Sequence, residues 1–326
     1  MRALVTGATG FVGANLVAAL LAQGHRVRIL RRPTSRLNAL AGLEYEEAIG
    51  DILDLDSLRR AMSGCDWVFH AAGAADYWRS KPDRLYQVNV LGTRHVMAAA
   101  LEVGVKRVVH TSSVAALGVP PNGQIGDESM TFNLPPQAFR YGHSKHLAEL
   151  EVLAAIRRGL PAIIVNPCVI LGPRDVNLIS GSLVREVYRR WIPFAVPGGM
   201  NLVDVEAVAA GHIAAAERGR VGERYILGGV NLTHWETLCL IARVVGQRPP
   251  IGVLPAPLIL LLAALLGLME RIGLRPLPTS AEQLRLSTRY FYFSSAKATR
   301  ELGLPPTVPE EVINKTFQWY CEHSLL

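Results

Sequence analysis

Thr6-Gly-Ala-Thr-Gly-Phe-Val-Gly13 joins a short apolar run, Arg2–Thr6, to a helical pattern at about residues 11–23. In such a turn Gly7 permits the tight bend, Gly10 lets the backbone approach a pyrophosphate, and Gly13 lets helix and strand pack closely. Backbone N–H groups and the positive end of the helix dipole favour phosphate there. Three glycines alone are ordinary turn chemistry. Strand, spacing and helix together read as a dinucleotide-binding turn, with Gly7, Thr9, Gly10, Phe11, Val12 and Gly13 as its contacts.

Outward from this turn, short β-branched runs alternate with longer helical patterns. Strands are expected at Arg2–Thr6, 26–30, Trp67–His70, Arg107–Thr111 and 162–165, with a weaker one at 43–49. Helical periodicity fills 57–62, 85–103 and 141–157. Nearly continuous apolar strands separated by helices imply a parallel sheet covered on both faces. The expected fold is α/β, a doubly wound parallel-sheet Rossmann domain with a smaller, mainly helical substrate domain. After Pro167 the rhythm weakens, although 201–216 reads as a strand and an alanine-rich helix and 225–227 as another strand.

Half of the 326 residues are hydrophobic and 19% are charged, enough apolar side chain to exclude intrinsic disorder. Basic residues exceed acidic ones, 34 to 27, for a net charge of +7. That excess is scattered and has no aromatic-interleaved basic run, so no nucleic-acid partner is expected. The four cysteines form no Cys-x-x-Cys pair and the nine histidines show no ligand spacing, so no metal is expected. A strand pattern at residues 2–6 without a secretory signal before it points to the cytoplasm.

The second strand ends in Arg28-Ile-Leu-Arg-Arg-Pro-Thr-Ser-Arg36, without Asp or Glu. An acid there would bind a ribose 2′-hydroxyl; an arginine accommodates a 2′-phosphate. Arg31 and Arg32 therefore favour NADP, NAD remaining open, with Thr34, Ser35 and Arg36 as supporting donors. Farther along, Tyr141-Gly-His-Ser-Lys145 places a phenol and an ammonium on one helix face. The ammonium favours phenolate and fits the tyrosine for proton exchange with a carbonyl or alcohol. His110-Thr-Ser-Ser113 ends the fifth strand, where a serine faces the ligand crevice.

With these residues in place, the chain resembles the extended short-chain dehydrogenase/reductase family. The resemblance rests on Thr6–Gly13, Asp51-Ile52, His70-Ala-Ala-Gly73, Asn89, Thr111-Ser-Ser113, Tyr141/Lys145 and Asn166-Pro167. It is nearest to the branch of dihydroflavonol reductases, hopanoid-associated sugar epimerases and 3β-hydroxysteroid dehydrogenases. Asn201-Leu-Val-Asp204, Gly222-Glu-Arg-Tyr-Ile-Leu-Gly-Gly229 and Phe293-Ser-Ser-Ala-Lys-Ala298 extend it over nearly the whole chain. The resemblance implies Tyr141 as general acid/base, Lys145 on the nicotinamide ribose, and Ser113 polarising the substrate oxygen. It implies Asp51 and Ile52 beside the adenine, and Ala71, Ala72, Gly73, Asn89 and Pro167 at the cofactor. It also implies interleaved domains, 1–170 plus 201–230 for the cofactor and 171–200 plus 231–326 for substrate, and a homodimer.

Three readings of the activity follow. A reductase or dehydrogenase acting on a hydrophobic carbonyl or alcohol is favoured by Arg31, Arg32 and an aliphatic C-terminal stretch. An NAD-dependent nucleotide-sugar epimerase is the alternative, since Asn166-Pro167 resembles a diphosphate contact and Arg174 or Arg185 would add charge. A non-catalytic redox sensor is the third. Dehydration is disfavoured, because Val114 and Ala115 stand where the resemblance would require an Asp-Glu pair.

Residues 249–269 carry no charge, and 258–269 are almost wholly aliphatic. The twelve residues after the prolines reach only ~18 Å at 1.5 Å per residue, too short for a ~30 Å hydrocarbon core. A buried core helix or a lid over the substrate is favoured over a helix in a membrane interface. Cys168 is expected to be a small core residue and His143 an exposed helix residue. Trp191 and Trp235 are expected in the core or lining a pocket.

Overall fold

A computed structural model of the chain describes residues 1–75, 82–121, 123–272 and 279–326. The strands in chain order are β1 (Arg2–Thr6), β2 (Arg26–Arg31), β3 (Glu46–Ile49), β4 (Trp67–His70), β5 (Arg107–Thr111) and β6 (Ala162–Pro167). They continue with β7 (Val169–Leu171), β8 (Gly199–Asp204), β9 (Arg224–Leu227), β10 (Val230–Thr233) and β11 (Tyr290–Phe291). The helices begin with α1 (Phe11–Ala22), α2 (Leu55–Met62), α3 (Pro82–Tyr86), α4 (Gly92–Val103), α5 (Arg140–Arg157) and α6 (Ser182–Tyr188). After them come α7 (Val205–Arg218), α8 (His234–Val244), α9 (Ala256–Arg271), α10 (Ala281–Leu286), α11 (Ala296–Leu302) and α12 (Pro309–Glu322).

The large sheet has seven parallel strands in the order β3-β2-β1-β4-β5-β6-β9. Alternate residues of each strand supply opposite cores. Val5, Phe69, Val109 and Ile163 face one way with Leu16 and Leu20 of α1. Leu4, Val68, Val108 and Ile164 face the other with Leu58 of α2 and Val96 of α4. Both faces being covered, the strands read as unbroken apolar runs rather than as alternating ones. The strand order reverses between β1 and β4, and ligands of such sheets bind outside the carboxyl ends of the strands there.

A second, smaller sheet of β7, β8, β10 and β11 packs with α6, α8 and α12 around Val184, Leu238, Ile241 and Ile313. The segment 201–230 divides between the two units. β8 belongs to the small sheet, whereas β9 closes the large one. Capping starts the helices cleanly: Asp54 accepts from Asp56 and Ser57 N–H, Asp204 from Glu206 N–H, and Thr233 and Glu236 cap each other reciprocally.

Helix α9 corrects the expectation of a core helix. Its buried residues are Ile259, Ala263 and Leu266, a single narrow stripe, while Leu258, Leu261, Leu262, Leu265 and Leu268 are exposed. Apolar character all round a helix does not say how much of it the rest of the fold covers. Trp191 is likewise outside the core, at 61% exposure.

Candidate active site

The glycine turn is shaped as its spacing predicts. Gly7 has φ +72°, and a Cβ there would meet Ala72 N at 2.5 Å; a Cβ on Gly13 would meet Gly7 O at 2.2 Å. Any side chain at either position would push β1, β4 and α1 apart. Gly10 differs, because its Cβ would meet only Gly7 O at 3.3 Å, leaving open space over the start of α1. That space belongs to a crevice of about 320 Å³ lined by Gly7, Thr9 and Gly10, by Arg31 and Arg32, and by Asp51 and Ile52. Residues 71–73 form its other wall. Phe11 and Gly13 are buried behind the turn and Val12 is partly buried.

The two arginines are not equivalent. Arg31 is committed to Glu47 of β3, with Nε and Nη2 donating to Oε2 at 2.9 and 2.7 Å. Arg32 is exposed at the rim, its N–H donating to Ser35 Oγ at 3.2 Å. Arg84 and Asn177 also line this crevice and escaped the sequence reading, for they arrive from α3 and from the loop after β7. A dinucleotide fits these residues: the backbone is open over Gly10, the helix start is free of acid, and Arg32 and Arg84 supply charge.

A buried hydrogen-bond chain fixes the wall at β4. Thr93 Oγ1 donates to Asn89 O at 2.6 Å, so His70 Nε2 donates to Thr93 (3.0 Å) and His70 Nδ1 accepts from Thr6 Oγ1 (2.8 Å). Burial lowers the His70 pKa to about 3, which keeps the ring neutral and this pattern intact. Asn89 lies in a π-helical turn, Gln87–Leu91, between α3 and α4. Its Oδ1 accepts from Ala74 N–H at 2.8 Å, and its Nδ2 donates to Ala74 O and Ser144 Oγ. One side chain thus ties the end of β4 to α5.

Helix α5 brings Tyr141 and Lys145 to the carboxyl end of β5. A Cβ on Gly142 would meet Ala115 O at 2.5 Å, so the first turn of α5 lies directly on the turn after Ser113. Lys145 is buried, and its Nζ donates to Thr111 O at 3.0 Å. Burial lowers its pKa to about 8, opposed by the charge of Glu149. A Cβ on Gly73 would come within 3.1 Å of Lys145 Nζ, which places the ammonium beside the β4 wall of the crevice. Ser113 is only partly buried, its Oγ accepting from Ala115 N–H at 3.2 Å with the hydroxyl proton left to donate. Ser112 faces the other way, donating to Glu149 Oε1 at 2.5 Å.

Glu149 anchors a network that sequence reasoning missed. It is fully buried, accepts from Asn166 Nδ2 at 2.6 Å, and pairs with Arg224 of β9 at 2.8 Å. Asn166 Nδ2 also donates to Ser113 O at 3.0 Å. Its amide is therefore engaged in holding Ser113, and Pro167 beside it is buried. His212 is a second residue without a sequence signal: it donates from Nδ1 to Val208 O and accepts at Nε2 from Thr111 Oγ1. Arg174 donates to Ala39 O. His143 corrects the expectation of an exposed helix residue, being half-buried with Nδ1 3.0 Å from the Tyr86 hydroxyl. Cys168 is buried, which raises its thiol pKa.

Comparison with known proteins matches residues 3–228 to the NAD dependent epimerase/dehydratase family. Over 98% of its length the chain is 38% identical to a putative dihydroflavonol 4-reductase of Synechocystis, covering 94% of that protein. It is 35% identical to sterol demethylase protein B of Methylococcus capsulatus, with both chains covered completely. Among solved structures, a nucleoside-diphosphate-sugar epimerase from Pseudomonas aeruginosa superposes with a TM-score of 0.84 at 27% identity, over 100% of this chain and 99% of that one.

Proposed function

The chain belongs to the NAD dependent epimerase/dehydratase family and is an NAD(P)-dependent oxidoreductase; from that premise we propose that it is an NADP(H)-dependent reductase or dehydrogenase of a hydrophobic ketone, aldehyde or secondary alcohol. The observation that carries this reading is the convergence of Ser113, the Tyr141 turn and the Lys145 ammonium at the end of β5.

A nicotinamide bound along the crevice would supply or accept the hydride. The protein's own residues handle the proton and the oxygen. Tyr141 passes a proton to the substrate oxygen in reduction and takes it back in oxidation. Lys145, charged below pH about 8, favours the phenolate and lowers the cost of that transfer. The Ser113 hydroxyl donates to the substrate oxygen and holds it beside the phenol. Asn89 and Glu149 position these groups without reaching substrate. Val114 and Ala115 are buried and carry no ionisable group, so the site offers no second acid/base for elimination at those positions.

NADP over NAD is supported by Arg32, exposed at the rim with no carboxylate on its guanidinium among the described residues, and by the neutralisation of nearby Glu47 by Arg31. A lipophilic substrate is supported by the apolar α9, tied through α10 to the start of α5. The names of the flavonol-type and sterol-type relatives point the same way. Epimerisation of a nucleotide sugar is the second reading, favoured by the likeness to the Pseudomonas enzyme. Against it stands Asn166, whose amide is occupied by Ser113 and Glu149 rather than free for a diphosphate.

The test is a fluorescence titration with NADPH and NADH, followed by a screen of ketones, aldehydes, sterols and UDP-sugars with the tighter cofactor. Tighter NADPH binding and net cofactor oxidation with an apolar carbonyl are expected. Tighter NADH binding, or epimerisation of a UDP-sugar without net cofactor change, overturns the reading.

A further inference from the structure

Helix α9 is built inside out for a soluble helix. Ile259, Ala263 and Leu266 pack inward, where Ala281 N–H donates to Glu270 Oε1 at 3.1 Å and fastens α10 to the end of α9. The outward face presents Leu258, Leu261, Leu262, Leu265 and Leu268, at 41–60% exposure. These residues recur at three- and four-residue steps, the spacing of one continuous helical stripe. A monomeric soluble protein rarely leaves so large an apolar surface uncovered.

The surface continues into two loops at the start of α9. Ile251 N–H donates to Pro193 O at 2.8 Å, Ala195 N–H to Gly252 O at 2.9 Å, and Leu254 N–H to Ala195 O at 3.0 Å. These bonds hold residues 193–195 beside 251–254. Trp191, Phe194, Ile251 and Val253 are all exposed there, at 61%, 40%, 79% and 48%.

Charge identifies what covers this face. Residues 187–203 and 244–269 contain Arg189, Arg190 and Arg248 but no Asp or Glu. All three arginines are exposed; Arg189 donates from Nη2 to Leu326 O at 2.8 Å, whereas Arg190 and Arg248 pair with no carboxylate side chain among the described residues. The Arg189 guanidinium lies 5.1 Å from the Trp191 ring centroid. Exposed leucines, a tryptophan and exposed arginines in segments without acids are the composition of a surface that enters an anionic lipid interface. A second copy of the chain fits less well, since a two-fold contact sets the same patch against itself and brings cation to cation. The helix is 16 residues, roughly 24 Å at 1.5 Å per residue, short of a ~30 Å core. Among the described residues no helix is long and apolar enough to cross a membrane. It would lie in the plane of the interface.

We propose that the outer face of α9 and the adjoining Trp191 and Ile251 loops form a peripheral docking surface for an anionic lipid bilayer. Its position gives it a purpose. Glu282 of α10 accepts from Arg140 N–H at 3.2 Å, at the residue before Tyr141, so α10, fastened to α9, adjoins the active-site helix. A lipophilic substrate would pass from the bilayer to the site without crossing water. That purpose rests on the proposed substrate class; the docking does not, and it is measured without substrate.

The experiment is flotation of the full chain with phosphatidylcholine vesicles and with vesicles of phosphatidylcholine and phosphatidylglycerol. Flotation with the anionic vesicles is expected, weaker on the order of tenfold with neutral ones. The variant L261E/L265E is expected to lose flotation, as is R190E/R248E, with both retaining the wild-type melting temperature and NADPH binding. No flotation with anionic vesicles, or equal flotation of wild type and L261E/L265E, overturns the proposal. So does equal binding to neutral vesicles, or a wild-type dimer in light scattering that L261E/L265E converts to monomer.

Discussion

Lys145 Nζ donates to the carbonyl oxygen of Thr111 at 3.0 Å, joining the residue one helical turn after Tyr141 to the last residue of β5, two before Ser113. The bond orients an ammonium that burial makes costly, with a pKa of about 8 against an ordinary 10.5. Below pH 8 the lysine is charged in both folded and unfolded chains, and the folded chain bears the full desolvation cost. Between about 8 and 10.5 the unfolded chain holds the extra proton, so stability rises with pH. Relative to Lys145→Met, the wild type is expected to gain roughly 2–3 kcal/mol of unfolding free energy between pH 7 and 10. Urea unfolding of both proteins across that range measures it, and parallel profiles would contradict a buried, depressed lysine.

Acid has the opposite effect through the histidines. His70 and His212 are buried neutral, with pKa values lowered to about 3 and about 4. Their unfolded forms take up protons near pH 6.5, so stability is present above that value and falls as pH drops toward the folded pKa values. Each costs about 0.7 kcal/mol per pH unit at pH 6.5, rising toward about 1.4 as the pH falls through the window. The pair is expected to remove roughly 3 kcal/mol between pH 6.5 and 5. His212→Asn should flatten the profile by about half that amount. A slope unchanged by the substitution would remove His212 from the account.

The pairing of Arg31 with Glu47 divides the roles of the two arginines. Arg32→Ser is expected to weaken NADPH binding by about 1.5–3 kcal/mol, tenfold or more, with NADH affinity unchanged. Arg31→Ser is expected to weaken NADPH binding less and to free Glu47, whose charge then repels the 2′-phosphate. Titration of both cofactors against both variants tests this. Equal losses for NADPH and NADH with Arg32→Ser would place the arginine away from the 2′-phosphate.

Local signals explain what the sequence made readable. The glycine spacing, the Tyr141–Lys145 step and the doubly buried strands β1, β2, β4, β5 and β6 are properties of near neighbours in the chain. Glu149 carried no such signal, because Ser112, Asn166 and Arg224 come from the turn after β5, from β6 and from β9. Glu47 changes the meaning of Arg31 only through the pairing of β2 with β3, and Arg84 and Asn177 reach the crevice from distant elements. β7 and β11, of three and two residues, are too short to leave a periodic trace. The outward leucines of α9 were invisible for a different reason: composition records apolar character but not what lies against it.

The most direct test of the account is the Tyr141→Phe variant, assayed with the carbonyl compound that the wild type reduces fastest. The substitution removes one hydroxyl and leaves the ring, Lys145 and the glycine turn in place. NADPH affinity and melting temperature are predicted to match the wild type, while turnover falls on the order of 10²–10⁴-fold. Full turnover by Tyr141→Phe would contradict the assignment of the proton transfer to this residue.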